Sequence, residues 1–276
     1  MRSPGKQAGK AQWSNFTVDG VPGGPIRLEQ NNRKEFTVQS VIRYEGKLTG
    51  LEKRFSKHTG FDDIREVRPR DLAPATDLVS VPRPLRWFAG RYGDHTAAAL
   101  VHDRFIGIEK TNLPKPIPEM TDAHADRFFR FMLHDTGIPW IRRWVMWAGV
   151  AFRTRFNAVK TAPRPLVGWA KTLSVVVWAA AIVAAVVGGY WFARQGDWGA
   201  VLLVALAPIP LSALWWHQFG AGLVAAYAMP VLLPPTLLAV VADLILYLLD
   251  QLIRPVQPSS VKTSAPAPVR MESFQS

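Results

Sequence analysis

From Thr172 to Ala193 the chain carries no charged residue. That apolar stretch is about the length needed to cross a bilayer as a helix. Trp169, Tyr190 and Trp191 stand near its ends, where interface aromatics sit. Arg194-Gln195-Gly196-Asp197 then reads as a tight turn. A second apolar run, Gly199 to Trp216, contains Pro208 and Pro210, and His217-Gln218-Phe219-Gly220 reads as the next short connection. A third, Ala221 to Ile253, is interrupted by Pro230, Pro234 and Pro235. It fits one kinked, tilted helix or two short helices hinged at the prolines. The expectation is an all-α transmembrane region over residues 172–253 with about three spans. Asp243 lies inside the last run, where a carboxylate reads as an interhelical hydrogen bond or as a position near the interface.

The charge distribution adds a direction. The formal net charge is +12. No acidic residue occurs between Asp135 and Asp197, whereas Arg142, Arg143, Arg153, Arg155, Lys160, Arg164 and Lys171 all fall there. Basic residues next to a first span read as cytoplasmic retention and attraction to anionic lipid. The expected partner is therefore membrane lipid and not nucleic acid, with the N-terminal domain on the cytoplasmic side. Arg254, Lys262 and Arg270 beyond the last span also look cytoplasmic, which argues for an even number of crossings. No oligomeric state follows from the sequence. The chain has no cysteine, which excludes disulfides, thiolate metal sites and a cysteine nucleophile.

Residues 1–33 are rich in Gly, Pro, Gln and Lys and read as disordered, with room for a short strand around Phe16-Thr17-Val18. Residues 34–160 read as a soluble α+β domain, a small antiparallel sheet plus helices, and 254–276 as a disordered tail. Glu35 to Tyr44 alternates as a strand, with Phe36, Val38, Ser40 and Ile42 on one face. Leu48 to Phe55 and the stretch around Ile64 and Val67 are weaker strands. Helices are predicted from near Asp94 to Phe105, from an N-cap at Thr121 or Asp122 to Asp135, and from Trp140 to Phe156. The last is amphipathic, with Ile141, Trp144, Val145, Ala148, Ala151 and Phe152 on one face and Arg142, Arg143, Arg153 and Arg155 around it. His95, His124 and His134 are expected at the surface.

The chemistry concentrates between Thr76 and Asp126. Asp126 shares the apolar side of its helix with Phe129 and Leu133, so it needs a partner. If the first two helices pack antiparallel, Asp126 can hydrogen-bond one ring nitrogen of His102 and fix its tautomer. Asp103 then points about 100° away, free to meet a cation or a base, and Asp77 can enter from the preceding loop. A carboxylate-oriented His beside a second carboxylate suits water activation near a hard cation such as calcium. The same residues also fit a packed core histidine, a turn-capping Asp77, and an Asp126 paired with Arg83 or Arg91.

Thr76-Asp77-Leu78-Val79-Ser80-Val81-Pro82-Arg83, Ala97-Ala98, His102-Asp103, Ala125-Asp126 and Phe129 together resemble the bacterial and phage family catalogued as domain of unknown function 1353, over roughly Glu35 to Asn157. The resemblance marks Thr76, Ser80 and Pro82 as structural motif positions and implies no activity. The family pattern places an aromatic, commonly Tyr, four residues after the His; here that position is Ile106. A looser resemblance links the His-Asp helix pair to phospholipases of the A2 type. It implies His102 as general base, Asp126 as its orienter and Asp103 as calcium ligand. The chain departs from that pattern in lacking a clear glycine-rich calcium loop and disulfides. The expected function is thus a membrane-anchored, hydrolase-like domain, or else a membrane- or phage-associated structural module in which the cluster only holds the fold.

Overall fold

The structure is a computed structural model that describes residues 15–30, 36–46, 65–69, 71, 88–90, 93–106, 120–162, 164–253 and 270–272. Met1–Trp140 together with Asp250–Ser276 form one compact unit, and Ile141–Leu249 form a second.

The first unit is α+β, as the sequence leads one to expect. Its strands are β1 (Phe16–Val18), β2 (Val21–Pro22), β3 (Arg27–Gln30), β4 (Phe36–Val38), β5 (Ile42–Tyr44), β6 (Glu66–Val67) and β7 (Arg270–Glu272). They form two antiparallel sheets, in the order β2-β1-β5-β6 and β4-β3-β7. Strand β7 lies within the segment expected to be a disordered tail. Its backbone pairs with β3, Leu28 opposite Met271. The β1–β2 hairpin turns on Asp19 (φ 52°) and Gly20 (φ 79°). Positive φ at both central residues matches the strand twist, which is why Asp-Gly suits such a turn.

The single strand expected over Glu35–Tyr44 is two strands in two sheets. Phe36, Val38, Ser40, Ile42 and Tyr44 are all buried, so the alternation is real. Side chains take the ladder's place at the crossover. The Val41 N–H donates to Asp19 Oδ1 at 2.8 Å, and the Arg27 N–H donates to Ser40 Oγ at 3.0 Å. The strand expected around Val67 is β6. The one expected over Leu48–Phe55 lies outside the described residues.

Helices α1 (Thr96–Ile106) and α2 (Asp122–Asp135) pack on each other, and α1 also meets β5 and β6. Ala97, Ala98 and Ala125 are buried, and their small side chains let the two helix backbones approach. The Gly93 N–H donates to Thr96 Oγ1 at 2.8 Å and holds the first turn of α1. At the start of α2 the Thr121 N–H donates to His124 Nδ1 at 3.3 Å, so a histidine fills the place that Glu or Gln takes in a capping box. The aromatic rings of Phe16, Tyr44, Phe128 and Phe105 stand in sequential contact, with centroids 4.9, 5.5 and 4.9 Å apart. They join the larger sheet to both helices.

The second unit is helical. It holds α3 (Trp140–Phe156) from Ile141 onward, α4 (Ala158–Thr161), α5 (Pro165–Gln195), α6 (Trp198–Leu206), α7 (Pro208–Leu211), the 3-10 segment Ser212–Gln218, and α8 (Phe219–Ile253) as far as Leu249. Its core gathers Trp147, Ala148, Ala151, Val175, Trp178, Ile182, Trp215, Ala221, Ala225 and Ala226. Two helical stretches, Pro165–Gln195 and Trp198–Ile253, are long and apolar enough to cross a membrane. The second is broken at Trp216, where φ is 50° and ψ is −117°. Helix α8 is continuous through Pro230, Pro234 and Pro235.

Helix α3 has the expected bounds but a rotated face. Ile141 is 68% exposed, and Arg155 is buried. The Arg155 guanidinium donates to the carbonyls of Trp215 (3.0 Å) and Leu214 (2.9 Å) and to Ser174 Oγ (2.9 Å). Those two carbonyls lie just before the break, and Arg155 supplies donors that an uninterrupted helix would provide.

Candidate functional site

The site lies where α1 and α2 face each other. His102 sits two turns into α1 with 5% of its surface exposed, and Asp126 sits one turn into α2 with none. His102 Nε2 is 3.0 Å from Asp126 Oδ1. This is the hydrogen bond expected from the spacing. His102 Nδ1 is 3.9 Å from Asp103 Oδ1, a distance at which Asp103 acts as a nearby charge and not as a hydrogen-bond partner. The Phe129 ring, its centroid 5.1 Å from that of the imidazole, walls one side. His102 and Asp126 come from facing helices, whereas Asp103 follows His102 on the same one.

Burial alone would lower the pKa of His102. The Asp103 and Asp126 carboxylates outweigh burial and raise it from 6.5 to about 9. His102 therefore carries its proton at neutral pH and forms a buried imidazolium between two carboxylates. Chemically, the arrangement holds one ring nitrogen fixed and leaves the other beside a negative charge. That geometry can pass a proton or hold helices together, and the same contacts serve both.

Asp135 supports the site from the far end of α2. Its Oδ2 accepts from the Tyr44 hydroxyl (2.6 Å) and from Asn15 Nδ2 (2.8 Å). A carboxylate in the last turn of a helix is disfavoured by the helix dipole. These donors offset that, and they tie α2, and with it Asp126, to β5 and to the turn before β1. Nothing in the sequence pattern singles Asp135 out; its partners are 91 and 120 residues away in the chain.

Asp77, Thr76, Ser80 and Pro82 lie outside the described residues, as do Arg83 and Arg91. Ile106, where the resemblance implies an aromatic residue, ends α1 and is half-buried. Of the histidines expected at the surface, His134 is there and His124 is half-buried in its cap. His95 is buried at 2% exposure, with Nε2 at 2.9 Å from the Gly90 carbonyl oxygen. Among the described residues no group of three or more His, Asp or Glu side chains could hold a metal ion. A cation at Asp103 would need Asp77 or another ligand beyond them.

The site thus defines an α+β domain built on a buried His clamped by carboxylates from two helices, in a chain that also carries two candidate membrane helices. Residues 72–150 match the model of a family described as protein of unknown function (DUF1353). His102, Asp103 and Asp126 all fall inside the matched span, as do α1, α2 and the first part of α3. No curated protein and no solved structure matches the chain. The resemblance to phospholipases of the A2 type has no counterpart in these comparisons.

Proposed function

We propose that this chain is a membrane-tethered, hydrolase-like protein that acts on a lipid or another ester at the bilayer surface. The observation that carries the reading is the 3.0 Å contact between His102 Nε2 and Asp126 Oδ1. Asp126 orients the ring, and Nδ1 is the nitrogen left to take a proton from water. Asp103, and Asp77 from the preceding segment, would supply oxygen ligands to a hard cation such as calcium, which would polarise the ester carbonyl. The basic block between Asp135 and Asp197 supports a cytoplasmic side for the N-terminal domain. With one crossing by each candidate stretch, Pro165–Gln195 and Trp198–Ile253, the basic tail returns to that same side.

A second reading rests on a specific observation: His102 is nearly closed to solvent and protonated at neutral pH. On that reading the cluster is a structural ion network that holds α1 to α2. The test is hydrolysis of phospholipid and of short-chain esters by the detergent-purified full chain, with calcium and with a chelator. His102→Gln, which keeps a polar side chain of similar reach, serves as the comparison. Hydrolysis lost in His102→Gln while its unfolding transition persists supports the enzyme. A wild-type chain without esterase or lipase activity, or a His102→Gln variant as active as wild type, leaves the structural network.

A further inference from the structure

We propose that the corner made by the end of α3, α4 and the start of α5 is a binding surface for the phosphate headgroups of anionic lipids. This deepens the membrane reading above and depends on it. Arg153, Lys160, Arg164 and Lys171 are all exposed there. Among the described residues their side chains have no ion-pair or hydrogen-bond partner, and no acid lies between Asp135 and Asp197 to supply one.

The corner is braced from within. Thr172 Oγ1 donates to the Phe156 carbonyl at 3.0 Å and ties α5 to the end of α3. Gly168 lets α4 press against α5; a Cβ there would stand 2.6 Å from the Ala158 carbonyl oxygen. Ser174 Oγ donates to the Lys171 carbonyl at 2.7 Å and accepts from Arg155 at 2.9 Å. Arg155 is turned inward by those bonds, so the other four cations are presented outward from a fixed platform.

The surroundings choose lipid over other polyanions. Leu166 is 84% exposed, Trp169 63% and Phe156 49%. These side chains ring the start of α5, one of the stretches long and apolar enough to cross a bilayer. A tryptophan and aliphatic groups beside basic residues match headgroup depth, where the ring meets the acyl boundary and the cations meet phosphate. A nucleic acid would leave Leu166 and Val167 in water.

The test uses the full chain in detergent and native mass spectrometry with added dioleoyl phosphatidylglycerol or dioleoyl phosphatidylcholine. The wild type should retain phosphatidylglycerol in preference to phosphatidylcholine. Each basic residue near such a surface is worth roughly a fivefold preference. A variant with Arg153→Gln, Lys160→Gln, Arg164→Gln and Lys171→Gln should lose nearly three orders of magnitude, about 600-fold. Equal retention of both lipids by the wild type, or an unchanged preference in the variant, would overturn the proposal. So would displacement of phosphatidylglycerol by millimolar inorganic phosphate, which indicates a free-anion site, or by a short single-stranded oligonucleotide. Alkaline carbonate extraction separates the two levels. A chain released by carbonate defeats the membrane reading itself, whereas a chain that stays in the membrane without lipid preference defeats the headgroup site alone.

Discussion

Replacing Asp126 by Asn removes the charge from the His102 clamp and keeps its shape, since an amide oxygen can still accept from the ring. The magnitude follows from the raised pKa. A shift from 6.5 to about 9 corresponds to about 3 kcal/mol of preference for the charged ring. Asp103 and Asp126 both raise the pKa, so removing the Asp126 charge should cost roughly half of that preference, about 2 kcal/mol. The sign is set by linkage. A histidine whose folded pKa is raised stabilises the fold fully below its unfolded value near 6.5, and that stabilisation is lost as pH rises through about 9. The assay is thermal unfolding of the full chain in detergent at pH 6 and at pH 10. At pH 6 the Asp126→Asn variant should melt roughly 4–8 °C below wild type. At pH 10, where the ring is neutral in both, the gap should nearly close. An equal deficit at both pH values would show that the lost stability comes from packing and not from the imidazolium–carboxylate pair.

Other outcomes follow from the same contacts. Arg155→Met leaves the Leu214 and Trp215 carbonyls without their guanidinium donors and should lower stability by about 2–4 kcal/mol in chemical denaturation. Arg155→Lys should recover only part of that, because an ammonium cannot reproduce the planar fork. Gly222→Ala places a Cβ 2.7 Å from the Trp215 ring, so α8 must shift; a loss of about 1–3 kcal/mol is expected, read as a drop in Tm. Asp135→Ala leaves the Tyr44 hydroxyl and Asn15 without that acceptor and should cost about 1–3 kcal/mol, with faster amide exchange in α2 as the local readout.

The helices were legible because local signals fix them. Thr121 before α2 and the Gly137-Ile138-Pro139 break before α3 mark ends that the structure keeps. The contact between His102 and Asp126 was legible for a related reason, since helical spacing alone put Asp126 on the buried side with Phe129 and Leu133. The strands were harder. An alternating Phe36-to-Tyr44 pattern says which side chains are buried, but not that Asp19 and Ser40 side chains take over at the crossover between two sheets. The Asp19-Gly20 pair was a readable hairpin signal and places β2 within the segment expected to be disordered. Arg155 shares its stripe with Trp147 and Ala151, at four-residue spacing. Charge argued for the surface there, and the carbonyls that make its burial tolerable lie 59 and 60 residues onward.

In the proposed hydrolysis, His102, oriented by Asp126, would transfer a proton. The most direct measurement is the pH dependence of hydrolysis by the full chain, with calcium and with a chelator, for wild type and Asp126→Asn. The wild-type rate should climb as pH rises through about 9, where the ring becomes free to accept a proton. In Asp126→Asn the rise should move toward 6.5 and the plateau should fall. A profile without a transition near 9, or one left in place by Asp126→Asn, would contradict that proton transfer.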